Sequence, residues 1–508
     1  MAIDVETVES PGWWMKKLWD KLEARRTHYQ EMFDRYDGEA PLPDSLEDAP
    51  EAAQQFFKTS RTRFAEMIVK AVLYPLKIQA VYTGQTSGDL GDAEAFSLMK
   101  RSGMLYETQS CHRAALVTGR SYAIVSRYTS PTTGKDYGPR FTSEDPREVV
   151  TIQDPVVQSE TLAGFKITHD ELYERDYAYL YLAGRVYRAS KEATGKTDTL
   201  PRFDPSSFDW DEEYGGENGQ ALPGMPDDVA VIPYRDEEGV GEFERHISLL
   251  DRIDHMVLQG MVIATYQAFK QRGIKVDPED MPEHDPETGE EIDYDEIFSA
   301  DPGALWRLPQ SAEMWESGAV DLTPIWTGID RDIQKLSAVT FTPLSMFSPE
   351  GQNQSAEGAN LTREGRTFKI EDRQETFGAS HEKALSLLMK LDGQDERADL
   401  GQLKITWRPA ERHSLAAKGS AMSQTRGDLP FRTRAIDIWQ MTPEEATEAE
   451  RLRDQELMMM AALEAQQAMA TTTGSDLPGV PGPVEDPRQA APEMPRELMG
   501  GGDDAGRD

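Results

Sequence analysis

The spacing of the apolar residues changes twice along this chain, and those changes limit the folds it can adopt. Up to residue 118 the apolar residues recur every three or four positions, as on the buried face of a helix. From Ser121 to about residue 235 they alternate, as in half-buried strands, and beyond residue 242 the helical spacing returns. The sequence therefore predicts an α+β protein in which a β region lies between helical parts.

The first predicted helix covers residues 10–36. Ser10 followed by Pro11 is a typical helix start. Apolar and aromatic residues then recur at helical spacings, namely Trp14, Leu18, Leu22, Tyr29, Phe33 and Tyr36. We interpret this stripe as part of the core, and a docking anchor formed by Trp13 and Trp14 is the alternative.

The helix and strands that follow are predicted from the spacing of their apolar residues and from the glycine-containing turns between them. "AEAFSLMKRSGMLYETQSCHRAALVTG" is predicted to be one helix that Gly119 ends. The predicted strands are "SYAIVSRY", "VVTIQD", "LAGFKITHD", "DYAYLYLAGRVYRAS" and "VAVIPYRD". "FDPSSFDWDEEYGGENGQALPGMPDD" is predicted to be a long polar loop.

The second half of the chain is predicted to be mostly helical. A helix over 242–272 and another over 325–342, which Pro343 stops, flank an acidic insertion. The stretch "SPEGQNQSAEGANLTREG" cannot form a core, so it is either a flexible linker or a mobile loop with a function. A long helix to about Leu391, a strand in "LKITWRP" and a helix capped by Thr442 complete the pattern. The composition after Thr471 predicts a disordered tail.

The charge balance argues against one class of function. The 508 residues include 91 acidic and 54 basic ones, for a net charge of −37. Non-specific wrapping of DNA or RNA depends on Lys and Arg, so it is not expected here. A like-charged wall nevertheless lets a polyanion pass without adhering, and salt screens the repulsion over about 10 Å.

Cysteine usage and the first residues indicate where the chain is made. A single cysteine, Cys111, excludes an intramolecular disulfide and favours a reducing compartment. "MAIDVETVES" is acidic and unlike a signal peptide, and no apolar run approaches the roughly 20 residues of a membrane span. We expect a soluble chain that is intracellular when made and has no membrane contact.

The sequence contains no complete catalytic motif. "ATGKT" has Ser190 where a phosphate loop needs glycine, and "TGRSYA" has Ala123 where a nucleophile elbow needs glycine. The eight histidines show no zinc-site spacing. His381 lies on an apolar helix face and is interpreted as a core residue. Neighbouring Cys111 and His112 cannot share a helix face, so they are not expected to form a catalytic pair.

The acidic segment 277–301 contains no Lys or Arg. Carboxylates at this density could bind Ca²⁺ or Mg²⁺. The EF-hand template fails, because His284, Pro286 and Thr288 occupy the first three ligand positions counted back from Gly289. "DPETGEE" is better explained as a hairpin tip with Gly289 at positive φ. We therefore predict a solvated acidic tip, no metal and no cofactor, and keep a metal site as the alternative.

The order of these parts resembles the portal proteins of tailed bacteriophages, the head-to-tail connectors. The resemblance is carried by "WWMKKLWDKLEARRTHYQEMFDRYDGEAPLP", "ALVTGRSYAIVSRY", "FTPLSMFSPEGQNQSAEGANLTREGRTFKIEDRQETFG", "KITWRP" and "WQMTPEEATEAERLRDQE". It covers nearly the whole chain except the tail. The segment "RDEEGVGEFERHISLL" departs from the pattern by being more acidic than expected.

The resemblance implies a portal fold with a mixed α/β wing, a helical stem, a small α/β clip and a helical crown. By position, the N-terminal helices and wing would be 1–240, the stem helices 241–272 and 325–342, and the clip 273–324. A tunnel loop would follow at 343–355, the long wing helix and strand at 356–433, the crown at 434–470 and the tail at 471–508.

The resemblance also implies roles for individual residues. The tunnel loop would offer the DNA channel Ser345, Met346, Phe347, Ser348, Gln352, Asn353 and Gln354. Stem residues facing the channel or a neighbouring subunit would be Arg245, Arg252, Lys270, Arg272, Arg331 and Lys335. Clip residues docking partners would be Glu287, Glu290, Glu291 and Asp293.

The implied function is mechanical and not enzymatic. A ring of about twelve subunits at one capsid vertex would pass double-stranded DNA without reading its sequence. Its partners would be the terminase large subunit, the head–tail adaptor, and the major capsid and scaffolding proteins. It would be found in the virion, and in the host cytoplasm during assembly. Another head structural protein, and a metal-dependent hydrolase built on 277–301, are the alternatives.

Overall fold

The computed structural model describes residues 3–41, 51–85, 91–130, 133–193, 200–235, 238–268, 272–277, 284, 287–289, 291–292, 313–316, 318, 320–348, 356–411 and 415–472. The chain divides into two compact units, Met1–Ala446 and Thr447–Asp508. In the second unit the described residues continue the helix that begins at Pro443.

Helices form the beginning of the first unit. They are α1 (Pro11–Asp37), α2 (Glu51–Ser60), α3 (Phe64–Leu73), α4 (Ala93–Arg101) and α5 (Met104–Thr118). Ser10 caps α1 as predicted, because its hydroxyl accepts the N–H of Trp13 at 3.1 Å. The predicted single helix over α4 and α5 is wrong: Gly103 has φ +84° and interrupts it.

The β region consists of β2 (Arg120–Thr129), β3 (Asp136–Glu144), β4 (Val149–Gln153), β5 (Thr161–Asp170), β6 (Arg175–Leu182), β7 (Arg185–Glu192), β8 (Asp209–Trp210), β9 (Gln220–Ala221) and β10 (Val231–Arg235). One antiparallel sheet has the order β10-β2-β3, and the other has the order β4-β5-β6-β7-β8 with β9 also paired to β7. The predicted strands are confirmed. Strand β3 was not predicted, because Gly138 and Pro139 interrupt its alternation; it lies at a sheet edge, where proline is tolerated.

The remaining elements follow β10. The helices are α6 (Ile247–Ala268), α7 (Thr323–Thr340), α8 (Leu344–Phe347), α9 (Ala356–Leu391), α10 (Leu415–Gln424), α11 (Phe431–Asp437) and α12 (Pro443–Thr472). The short strands β11 (Arg272–Lys275) and β12 (Glu313–Glu316) pair with each other. Strand β13 (Lys404–Trp407) pairs with β1 (Ile78–Tyr82). The mixture of helices and sheets confirms the predicted α+β class.

Two buried clusters hold the first unit together. In the smaller one, Met15, Leu18 and Trp19 of α1 pack on Phe165 and Leu180 of the larger sheet. The larger cluster joins α3, α5 and the β10-β2-β3 sheet to α6, α7 and the long helix α9. The stripe on α1 is therefore core, as predicted.

The segment predicted to be a long polar loop contributes to both clusters. Phe203, Phe208 and Trp210 are buried in the smaller cluster, and Met225 is buried in the larger one. The polar residues around them obscured these anchors in the sequence. The prediction of a long polar loop is therefore wrong at these four positions, which are apolar and buried.

Candidate functional site

Helices α6 and α7 correspond to the predicted stem. Leu250 and Ile253 of α6 share the larger core cluster with Ile329 and Leu336 of α7. Burial fades toward the end of α6, where Ala264 and Thr265 are exposed. Among the described residues, the pair is thus buried against the core at one end.

Asp332 connects the two helices. Arg252 of α6 donates from Nε to Asp332 Oδ2 at 2.6 Å and from Nη2 to Oδ1 at 2.8 Å. Lys335 Nζ adds a third contact to Oδ1 at 3.1 Å. The hydrogen bonds from Arg252 lower the pKa of this buried carboxyl group. Arg252, a predicted stem cation, therefore holds the helix pair together within one chain. Lys335, another predicted stem cation, adds a contact within α7.

The other predicted stem cations have different surroundings. Arg245 forms an ion pair with Glu238. Arg272 lies opposite Glu316 in the β11–β12 pairing. Arg331 is exposed and has no ion pair within the described ranges, whereas Lys270 lies outside the described residues.

The start of the predicted tunnel loop is the short helix α8. The ring of Phe347 packs edge-on against Phe64 of α3, with centroids 5.2 Å apart, and Leu344 is buried. Ser345 is exposed, and Met346 and Ser348 are half-buried. Gln352, Asn353 and Gln354 lie outside the described residues. Phe347 is thus tied to the core on at least one face.

The turn between α7 and α8 is built by specific contacts. Phe341 adopts a left-handed conformation with φ +54°. The hydroxyl of Ser337 donates to the Thr342 carbonyl at 2.7 Å. A Cβ at Gly365 of α9 would overlap the Phe341 ring, so the long helix can pack close to this turn only through a glycine.

The acidic insertion is described at a few positions. His284 and Glu291 form an antiparallel bridge around Gly289, whose φ is +69°. This geometry confirms the predicted hairpin tip. Glu287 and Glu291 are exposed, and Glu290 and Asp293 lie outside the described residues. Among the described residues no group of three His, Cys, Asp or Glu side chains is arranged to hold a metal ion.

The unexpectedly acidic segment before α6 has a structural explanation. The carboxylate of Glu242 is buried and is bound by Lys369 and Arg373 of α9, with Arg373 Nε at 2.9 Å. Glu244 accepts the N–H of Gly241 at 2.8 Å and lies 3.0 Å from His28 Nε2. These acids fasten the start of α6 to the long helix and to α1.

Two histidines form a contact that the sequence did not predict. His112 Nε2 of α5 lies 2.7 Å from His381 Nε2 of α9, and His381 Nδ1 lies 2.8 Å from the Tyr234 hydroxyl. All three side chains are buried, in agreement with the core interpretation of His381. Burial lowers the pKa of His112 to about 3, so the network is uncharged near neutral pH. Their apolar helix faces were visible in the sequence, but their pairing was not.

Cys111 has no features of a nucleophile. Its thiol is fully buried, and its Sγ lies 3.1 Å from the Ser121 hydroxyl. Burial raises its pKa to about 12, which keeps the sulfur protonated and unreactive.

No described helix is both long and apolar enough to cross a membrane. Among solved structures, a chain from the neck of an empty GTA particle, computed with C6 symmetry, is 11% identical with a TM-score of 0.41. A chain from the neck of a native GTA particle, computed with C12 symmetry, is 12% identical with a TM-score of 0.39. Each match covers 76% of this chain and 93% of the other. No curated protein matches the sequence.

The model of one protein family, described as "Phage portal protein, SPP1 Gp6-like", matches residues 15–459. The match includes every segment that carried the resemblance except Trp13 and Trp14 at the start of the first one. It confirms the prediction made from the order of the parts. The chain belongs to the SPP1 Gp6-like family of phage portal proteins.

Proposed function

We propose that this chain forms a closed ring of about twelve subunits at one vertex of a phage capsid. Double-stranded DNA passes through the centre of the ring during packaging and ejection. The observation that carries this proposal is the family match over residues 15–459. The chain works in the virion after assembling in the host cytoplasm.

Exposed apolar residues near the far end of the α6–α7 pair support self-association. Trp315 is 60% exposed, and Met314, Val320 and Trp326 are also exposed. Val320 is tied to this end of α6 because its carbonyl accepts from Gln267 at 2.8 Å. Large apolar side chains exposed on consecutive segments are typical of an interaction surface. Neighbouring subunits of a ring would cover them.

The loop after α7 is proposed to contact the DNA. Residues 343–355 contain no Lys or Arg, so contacts through Ser345, Met346 and the amides of 352–354 are weak and independent of sequence. Such contacts suit a moving duplex. Of the stem cations, Arg331 is our choice for the channel wall, since Arg252 and Lys335 are occupied by Asp332.

The acidic segment 277–301 is proposed to dock partners. Glu287, Glu290, Glu291 and Asp293 would receive the terminase large subunit during packaging and the head–tail adaptor afterwards. The wing would contact the major capsid and scaffolding proteins. ATP hydrolysis would belong to the terminase, and this chain would catalyse no reaction.

A packaging assay tests the proposal. Heads assembled with this chain, supplied with the terminase of the same phage and ATP, should accumulate nuclease-resistant DNA. Heads assembled without the chain are the control. An equal amount of protected DNA in both samples would refute the proposed role.

A further inference from the structure

Four basic side chains lie near one another in this acidic chain. Lys21 and Arg25 lie one turn apart on α1. Arg120 and Arg235 lie directly opposite each other in the β2–β10 pairing. All four are half-buried, and Arg25, Arg120 and Arg235 are close enough to repel the ammonium group of Lys21.

No carboxylate of the described part of the chain forms an ion pair with any of the four, although other basic residues of the fold are paired. Arg35 contacts Asp251, for example, and Arg188 contacts Asp211. Lys21 Nζ donates instead to the Thr151 carbonyl at 2.9 Å. Arg235 Nη2 donates to the Gln158 carbonyl at 3.1 Å. Neutral carbonyl groups orient these cations but leave their charge uncompensated.

The other two cations also have uncharged neighbours. Arg25 forms side-chain hydrogen bonds with the phenol groups of Tyr29 and Tyr122, but its Nη1 atom is buried without a partner. The guanidinium of Arg120 lies against Gly239, where a Cβ would come within 2.7 Å of Nη2. A buried donor without an acceptor is uncommon in native proteins.

Glu244 is a carboxylate near this cluster, since it acts on the phenol of Tyr29. One of its oxygens accepts the Gly241 N–H at 2.8 Å, and the other lies 3.0 Å from His28 Nε2. Both oxygens therefore have other partners, and Glu244 forms no direct ion pair with the four cations.

The repulsion among these cations contributes unfavourably to the free energy of folding. Like charges one helical turn apart are unfavourable, and so are like charges directly opposed across two strands. Burial, with added repulsion from Arg25, Arg120 and Arg235, lowers the pKa of Lys21 to about 8. A bound anion would remove the repulsion and supply the missing acceptor.

We propose that Lys21, Arg25, Arg120 and Arg235 form a binding site for an oxyanion of the phosphate class. Guanidinium groups match the geometry of phosphate oxygens through paired hydrogen bonds, and a lysine adds a point charge. A dianion compensates four converging cations better than a single carboxylate does. The site depends neither on ring formation nor on the DNA channel.

The test is the melting temperature of the full chain in sodium phosphate and in sodium chloride at equal ionic strength. Phosphate stabilises many proteins without binding to a site, so variants supply the comparison. The double variant Arg120→Gln/Arg235→Gln and the single variant Lys21→Met each disrupt the site. The control Lys58→Gln/Lys100→Gln removes two exposed cations that have no ion pair among the described residues.

The wild type and the control should show the same phosphate-dependent rise, saturating with concentration as expected for a bound ligand. In both site variants the phosphate-dependent rise in melting temperature should be smaller. Only the non-specific stabilisation by phosphate, which does not saturate with concentration, should remain. Equal rises in all four proteins would overturn the proposal. If the Arg120→Gln/Arg235→Gln variant fails to fold, the phosphate-dependent rise of the Lys21→Met variant alone tests the proposal.

A second experiment distinguishes inorganic phosphate from the DNA backbone as the source of the bound phosphate group. A short DNA duplex replaces inorganic phosphate at the same ionic strength. The proposal expects inorganic phosphate to be sufficient for the site-dependent rise. A rise that requires the duplex and is absent with inorganic phosphate would overturn the assignment to a single small oxyanion.

Discussion

His112 and His381 share a hydrogen bond between their Nε2 atoms, 2.7 Å apart, at the place where α5 meets α9. One proton lies between the two nitrogens, because a second proton there would bring two N–H groups face to face. Burial disfavours the charged form of both rings. The ring of Phe377 stacks on His112 at 4.9 Å, and Tyr234 contacts the other nitrogen of His381. The long helix is thus joined to the core by an uncharged polar contact.

This contact predicts that the protein loses stability in acid. Burial lowers the pKa of His112 to about 3, and burial with repulsion from His112 lowers that of His381 well below its usual value. The unfolded chain therefore binds more protons below about pH 6.5, where each pH unit costs up to about 1.4 kcal/mol per histidine. Urea midpoints measured between neutral pH and pH 4 should fall accordingly.

Variants separate this effect from general acid denaturation. His112→Gln/His381→Gln removes both titrating groups and should flatten the pH dependence below pH 6.5. His255→Asn changes an exposed histidine on α6 and should leave the dependence unchanged. If the double variant and the wild type lose stability in parallel, the buried pair is not the cause.

Asp332→Asn should loosen the α6–α7 pair. The substitution removes the charge that Arg252 and Lys335 share, and we expect a loss of about 1–3 kcal/mol in the free energy of unfolding. Arg331→Gln, at the adjacent exposed position, should change it by less than about 0.5 kcal/mol. Chemical denaturation of both variants provides the measurement, and equal small changes would show that the Arg252 contact contributes little.

Gly241→Ala should destabilise the protein through steric overlap. A Cβ at this position would overlap the Val117 carbonyl, where the segment before α6 crosses the end of α5. We expect a loss of about 1–3 kcal/mol. Gly419→Ala in α10 is the matched control, because its Cβ would meet no atom within 4 Å. The control should be neutral or slightly stabilising, and a similar result for Gly241→Ala would mean that the crossing adapts at little cost.

Local features of the fold could be predicted because their signals lie within a few residues. Thr442 and Glu445 form the expected reciprocal cap, with Glu445 N donating to the Thr442 hydroxyl at 3.2 Å and Thr442 N to the Glu445 carboxylate at 2.9 Å. Gly119 ends α5 with φ +74°. These positions depend on backbone geometry that a short stretch of sequence determines.

Contacts between distant residues could not be predicted in the same way. The partners of the Arg252–Asp332 contact are 80 positions apart, and those of the histidine pair 269 positions apart. No local pattern distinguishes a cation that faces a channel from one that binds its own chain. For the same reason the resemblance implied a tunnel loop at 343–355 but not the packing of Phe347 on Phe64.

The central claim is that the chain closes into a ring around a channel. The most direct measurement is the mass of the purified full-length protein in solution by light scattering, with electron micrographs of the same fraction. We predict a mass of about twelve subunits and particles with a central opening. A monomer or dimer at every salt and protein concentration, alone and with the scaffolding protein of the same phage, would contradict the account.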